Sequence, residues 1–101
     1  MNFIIAVFSV RTHTHLFYNL LIKSGIKCAI IETPKQANLS CGISVKFLGK
    51  DFAVVKKMLN SSLSSFSGFF KLVYQFNKIA VVPIKWNDMI FLWDFVQIMY
   101  N

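Results

Sequence analysis

Six consecutive apolar residues, Phe3 to Phe8, place the strongest constraint on what this 101-residue chain can fold into. The run is rich in β-branched and aromatic side chains, and it is far shorter than the ~18 apolar residues that a membrane-spanning helix needs. A strand that is apolar at every position is typical of one buried on both faces of a sheet. Because no basic residue precedes the run and Arg11 follows it, we expect a buried strand and not a secretory signal peptide.

The segment after this strand predicts a helix and then a second strand. The expected inner face of the helix consists of Leu16, Leu20 and Lys23, with Phe17 and Leu21 beside them. Gly25 is expected to end the helix in a left-handed conformation. Residues 26–32 then form a second strand, and a strand–helix–strand unit of this length makes its two strands parallel.

Two further strands and a second helix complete the predicted domain. Alternation over residues 43–47 predicts the third strand, and alternation over 70–76 predicts the fourth. Asp51 is expected to cap the second helix. The inner face expected for that helix consists of Val54, Val55, Met58 and Leu59. The order βαββαβ predicts an α/β chain of the α+β two-layer type, a ferredoxin-like sandwich with both helices on one face of the sheet.

Residues 1–76 are therefore predicted to form the domain, and residues 77–101 a C-terminal extension. The extension is predicted to contain a short strand at 79–82 and an apolar helix at 86–100. A helix that is apolar on nearly every side has to be covered. We expect it to pack on the domain, with a homodimer interface through 86–100 as the second alternative. A membrane surface is the third, because interfacial helices usually carry a basic face and this one is acidic.

The chain is basic, with a formal net charge of +7 at pH 7. Such a charge favours acidic proteins, nucleic acid or anionic small molecules as partners. The lysines are scattered along the chain, so a solvated basic surface is preferred to a nucleic-acid groove.

The two cysteines, Cys28 and Cys41, do not have zinc-site spacing, and we expect no metal and no cofactor. A cytoplasmic, reducing location is expected, in which Cys41 is a free thiol. Cys28 alternates with apolar residues on the second strand and is expected in the core, the alternative being a resolving thiol for Cys41. His13 and His15 diverge on a helix, so a shared metal ion is not expected there.

The Ser40-Cys41-Gly42 turn is the segment best suited to chemistry. Pro34 fixes the chain after the second strand, and Gly42 permits a tight turn beside the thiol. Lys35 is the one cation in this segment and could stabilise the thiolate form of Cys41. Ser40 either bonds the sulfur or is a plain turn residue. On spacing alone, a cysteine that only fills space is the more common case.

Four segments together resemble one family of small prokaryotic proteins. These segments are Phe8-Ser9, Ser24-Gly25-Ile26, Thr33-Pro34-Lys35 and Ser40-Cys41-Gly42. They resemble the DUF3343 family of selenium/sulfur (Se/S) carrier-like proteins over residues 3–75, and the spacing of the last two segments is the most specific feature. The chain departs from the family pattern in three places. Lys35 stands where arginine is frequent, the first helix carries His13, His15 and Tyr18, and the tail from 77 onward is additional.

The resemblance implies a carrier and not an enzyme. In that role Cys41 would hold a sulfur or selenium atom as a transient persulfide or perselenide, with Lys35 stabilising its thiolate. A cysteine desulfurase-like protein would donate the atom and another protein would accept it, without membrane insertion. One alternative is a noncatalytic interaction module in which Cys41 only packs the turn. A small RNA-binding domain, suggested by the charge and by aromatic residues on the sheet, is a weaker alternative.

Overall fold

The computed structural model describes residues 2–37 and 39–85 of the chain. Its elements are, in chain order, β1 (Phe3–Phe8), α1 (Arg11–Lys23), β2 (Cys28–Glu32), β3 (Ile43–Leu48), α2 (Phe52–Lys57), β4 (Phe66–Gln75) and β5 (Lys78–Pro83). Short 3-10 turns at Gly49–Asp51 and Ser61–Leu63 precede α2 and β4. The helix predicted at 86–100 lies outside the described residues.

The five strands form one antiparallel sheet in the order β2-β3-β1-β4-β5, so the described part of the chain has an α+β fold with two helices. The apolar run of β1 occupies the centre of the sheet, and every residue from Ile4 to Phe8 is buried. β1 and β2 run in the same direction, as expected from the strand–helix–strand unit, but β3 lies between them. The strand predicted at 79–82 lies within β5, which pairs with β4.

Both helices contribute to a hydrophobic cluster on one face of the sheet. Ile4, Ala6 and Phe8 of β1 point to this face. The rings of Phe52 and Phe69 meet edge-to-face with their centroids 5.0 Å apart, a favourable aromatic geometry. The start of α2 is thereby fixed against the middle of β4.

The inner face of α1 is rotated by about one residue from the predicted one. For α2, Val55 and, just after the helix, Met58 and Leu59 contribute to the cluster as predicted, whereas Val54 does not. In α1 the buried residues are Thr14, Phe17 and Leu21, whereas Leu16 is half exposed. In α2 the buried residues are Phe52 and Val55, and Val54 is exposed. The predictions for Leu16 and Val54 were wrong because the large Phe17 and Phe52 rings determine which side of each helix faces the sheet.

The residue that ends α1 has its predicted conformation, whereas the residue that precedes α2 lacks its predicted hydrogen bond. Gly25 follows α1 with φ of +80°, which confirms the left-handed ending that a residue without a Cβ adopts most easily. Asp51 stands at the start of α2, but its side chain makes no capping hydrogen bond, so its predicted role was wrong. A 3-10 turn leads the chain into that helix instead.

The β4–β5 connection is a two-residue turn. Phe76 and Asn77 both have positive φ, +47° and +65°, between the paired residues Gln75 and Lys78. This is the geometry of a type I′ hairpin turn. Phe76 was predicted to end the fourth strand, but it lies in the turn and is 97% exposed.

The face of the sheet away from the helices has its own, smaller buried cluster. Ile5 and Val7 of β1 are fully buried there, together with Leu72 of β4 and Ala37. Ala37 belongs to the loop between β2 and β3, so this loop is anchored on the sheet. Among the helices that the structure describes, none is long and apolar enough to cross a bilayer.

Candidate functional site

The loop between β2 and β3 returns Cys41 to the end of the central strand. The backbone N–H of Cys41 donates to the carbonyl of Phe8, the last residue of β1, at 3.0 Å. Only Ser9 and Val10 separate Phe8 from the first residue of α1. The cysteine is therefore fixed beside the start of that helix.

Among the residues that the structure describes, two place polar groups beside the sulfur of Cys41. It lies 3.4 Å from the hydroxyl oxygen of Thr14, and the thiol donates to the carbonyl of Ile43 at 3.5 Å. Thr14 is fully buried, whereas Cys41 is half-buried. The sulfur is thus positioned by the protein, on a residue that is only half-buried.

The helix beside the sulfur presents its positive end. The capping position of α1 is Val10, whose side chain makes no capping hydrogen bond, and Arg11 is the first helical residue. The first N–H groups of a helix lack intrahelical partners and carry a partial positive charge. Thr14 lies in this first turn, so the Cys41 sulfur lies beside the positive end of α1.

A chain of hydroxyl groups shapes the turn behind the sulfur. The N–H of Gly42 donates to the Ser40 hydroxyl at 2.9 Å, and that hydroxyl donates to the Thr33 oxygen at 2.7 Å. The Thr33 and Ser44 hydroxyl oxygens lie 2.6 Å apart. Gly42 has φ of +103°, which a residue with a side chain rarely adopts. Ser40 therefore acts as a turn residue and its hydroxyl is bonded to the turn, not to the sulfur.

Pro34 and Lys35 occupy the outer part of the same loop. The Pro34 carbonyl accepts from the N–H of Ala37 at 3.0 Å, which closes a tight turn. Lys35 is exposed, and its ammonium makes no hydrogen bond or ion pair with another residue of the described ranges 2–37 and 39–85. The side chain that contacts the sulfur is that of Thr14. Stabilisation of the Cys41 thiolate by Lys35 stays a prediction.

Of the two histidines on α1, His13 makes a side-chain contact with another segment and His15 is exposed. His13 Nδ1 lies 2.7 Å from the hydroxyl oxygen of Ser65, whose carbonyl accepts from the N–H of Ser9. His13 thus ties the start of α1 to the segment before β4, and His15 is exposed. The described part of the chain contains no group of three or more His, Cys, Asp or Glu side chains that could hold a metal ion.

Cys28, which was expected in the core, is half-buried and packs against the cluster on the helix face. Its thiol donates to the Tyr18 carbonyl at 3.9 Å, and burial raises the pKa of the Cys28 thiol above its ordinary value of 9.0. Cys28 pairs with Phe47, four residues along β3 from Ile43. Four strand residues span about 13 Å, and Cys41 lies beyond Ile43, whereas a disulfide needs Cα atoms within about 7 Å. A resolving role for Cys28 would therefore require movement of the backbone.

Two residues of the site, Thr14 and Ser44, were not predicted from the sequence, and Thr33 was noted only as part of the Thr33-Pro34-Lys35 segment. A signal for Thr14 exists, since it stands three residues before Phe17 and is the polar member of the buried helical stripe. A polar side chain on the buried face of a helix usually has a hydrogen-bond partner. For Ser44 the alternation of β3 indicated only that its side chain points opposite to Ile43 and Val45, without saying that this side is buried too.

The fold and the site define a small α+β protein with a single half-buried thiol at a strand-end turn. A family model described as "Putative Se/S carrier protein-like" matches residues 3–71, from β1 to the middle of β4, and includes the whole Cys41 turn. The chain belongs to this family, which confirms the resemblance seen in the sequence. Comparisons with curated proteins and with solved structures gave no match.

Proposed function

We propose that this protein carries a sulfur or selenium atom as a persulfide or perselenide on Cys41, and that it is a carrier and not an enzyme. Family membership supports the class of function. The observation that carries the residue assignment is the position of Cys41, a half-buried residue whose sulfur lies beside the first turn of α1 and 3.4 Å from the Thr14 hydroxyl. The strand and helix order supports a ferredoxin-like core, to which β5 is added.

The proposed loading step is an exchange of one atom between thiols. The Cys41 thiolate attacks the outer sulfur of a persulfide on a cysteine desulfurase-like donor. A bond forms between the two sulfur atoms, the donor's own sulfur–sulfur bond breaks, and the donor leaves as a thiolate with the electron pair. Cys41 then bears the persulfide, and no net oxidation occurs. Unloading repeats the step with a thiolate of the acceptor protein, and a perselenide follows the same route.

Each residue of the turn has a proposed part in this step. Thr14 donates a hydrogen bond to the sulfur anion, and the positive end of α1 favours the same charge. Lys35 adds a positive field from the exposed side of the loop. Pro34, Ser40 and Gly42 shape the turn, as their hydrogen bonds and the φ of Gly42 support.

The direct test is intact mass after incubation with a cysteine desulfurase and either cysteine or selenocysteine. The protein should gain one sulfur or one selenium atom, and a thiol reductant should remove it. Cys28→Ser should retain the adduct and Cys41→Ser should lose it. Equal adduct formation on Cys41→Ser would contradict the proposal.

The alternative of a structural cysteine is favoured by one contact, the bond from the Cys41 thiol to the Ile43 carbonyl. Alkylation of the native protein separates the two roles. A carrier thiol reacts in the folded state, whereas a packing thiol reacts only after unfolding. The RNA-binding alternative stays a prediction, tested by salt-dependent binding to single strands.

A further inference from the structure

β5 is an edge strand whose four central residues, 79–82, lack the features that normally protect an edge. Among residues 2–37 and 39–85, no strand lies on its outer side. All six of its residues are exposed or half-buried, and Ile79 and Val82 are each 47% exposed. Between Lys78 and Pro83 the strand contains no charge, bulge or proline that would block pairing.

The outward-facing backbone groups of β5 can be assigned from one hydrogen bond. The N–H of Ile84 donates to the Phe69 carbonyl at 2.9 Å, just beyond the Pro83–Phe70 pair. In an antiparallel ladder, alternate residues turn their N–H and C=O groups toward the neighbouring strand. Ile79 and Val81 therefore direct their N–H and C=O groups away from β4.

The side chains near this edge differ on the two faces of the sheet. On one face, exposed Lys78 lies at the start of β5 and exposed Lys71 stands opposite Val82. On the other face, Ile79 stands opposite Tyr74, which is also half exposed. A strand added to β5 would therefore lie near positive charge on one face of the sheet and near apolar side chains on the other face.

The surrounding charge excludes some occupants. From the start of β4 to residue 85 the chain contains three lysines, Lys71, Lys78 and Lys85, and no Asp or Glu. A second copy of this chain would bring the same positive charge to the edge, whereas an acidic segment would be attracted to it. The opposite edge strand, β2, carries Glu32 and is less suited to an acidic partner.

We propose that the outer edge of β5 binds an extended segment of a partner protein by strand addition, and that this segment alternates acidic and apolar residues. The backbone of Ile79 and Val81 supplies the hydrogen bonds. Lys71 and Lys78 select the acidic side chains, and Ile79 with Tyr74 accommodates the apolar ones. The proposal concerns an interaction surface and does not depend on the chemistry of Cys41.

The test uses a fluorescent peptide of about six alternating Glu and Val residues, a common strand length. Anisotropy should show saturable binding that weakens as salt is added, with NMR shifts concentrated in β5. Lys71→Glu combined with Lys78→Glu should weaken binding at least about tenfold, or about 1.4 kcal/mol. Lys27→Glu combined with Lys23→Glu makes the same change in net charge away from this edge and should have little effect.

A second measurement tests the backbone bonds independently of charge. N-methylation of alternate peptide residues should abolish binding when the methyl groups face β5. Val81→Pro, which removes an outward N–H and leaves the β4 ladder intact, should also weaken it. Absence of saturable binding, insensitivity to N-methylation, or equal losses in the control variant would overturn the proposal. Dimerisation through β5, or displacement of the peptide by single-stranded RNA, would identify another occupant and overturn it as well.

Discussion

The hydroxyl oxygen of Thr14 lies 3.4 Å from the sulfur of Cys41, although the two residues are 27 positions apart in the chain. They meet because the Cys41 N–H is bonded to the end of β1 and α1 begins three residues after that point. Thr14 is fully buried, so its hydroxyl has no access to bulk water as an alternative partner.

Replacing Thr14 should change the reactivity of the sulfur more than the stability of the fold. Thr14→Val keeps the shape of the side chain and removes the hydroxyl. Since a hydrogen bond to a charged group contributes about 1.5 kcal/mol or more, native alkylation of Cys41 near neutral pH should slow by roughly tenfold. Timed alkylation followed by mass analysis measures this rate.

The matched control for that variant is Thr12→Val, on the exposed side of the same helical turn. It should leave the alkylation rate unchanged. If both variants slowed alkylation equally, the effect would come from the helix and not from the Thr14 hydroxyl.

Lys35→Ala should slow alkylation of Cys41 by only about twofold, because an exposed charge acts through solvent. The effect should disappear on raising the salt concentration, since screening shortens the reach of exposed charges to about 8 Å or less. Lys23→Ala, at the other end of α1, serves as the control. A large, salt-independent loss for Lys35→Ala would mean that the ammonium contacts the sulfur directly.

The raised pKa of Cys28 predicts a loss of stability at high pH. The folded state favours the neutral thiol, so its contribution is complete below the unfolded pKa near 9.0 and declines as pH rises toward the higher folded value. Urea unfolding between pH 8 and pH 10.5 should show a steeper loss for the parent protein than for Cys28→Ala. Parallel curves would show that Cys28 titrates alike in both states.

Gly25 offers a test of backbone conformation alone. A Cβ added there would meet nothing within 4 Å, so only the φ of +80° penalises a side chain. Gly25→Val should lower the free energy of unfolding by about 1–3 kcal/mol. Gly25→Asn should cost less, because asparagine tolerates left-handed conformations. If both variants lowered the free energy of unfolding equally, the loss would come from a broken contact and not from the φ of residue 25.

The sequence predicted the elements well because each depends on local patterning. The apolar run of β1, the left-handed Gly25 and the alternation of β3 required no knowledge of distant residues. The inner faces of α1 and α2 depended on which large ring fits the sheet, and periodicity placed Leu16 and Val54 inside when the structure exposes them.

The candidate site was only partly predictable for the same reason. The turn from Pro34 to Gly42 is a local feature, so the sequence alone indicated that Cys41 lies in a tight turn. Thr14 reaches that cysteine only through the packing of α1 beside the loop, and nothing in the spacing of 27 residues indicates it. Proximity in the sequence therefore points to Lys35 as the partner of Cys41, whereas the residue that contacts the sulfur in the fold is the buried Thr14.

The central position of β1 has a consequence for how the chain folds as it is synthesised. β1 leaves the ribosome before both of its neighbours, β3 and β4, which begin only at Ile43 and Phe66. Its most apolar strand therefore gains its first partner only when β3 has emerged, and its second only when β4 has emerged. Forming the sheet then requires the closure of long loops, which slows folding and leaves that strand exposed to chaperones or to other nascent chains.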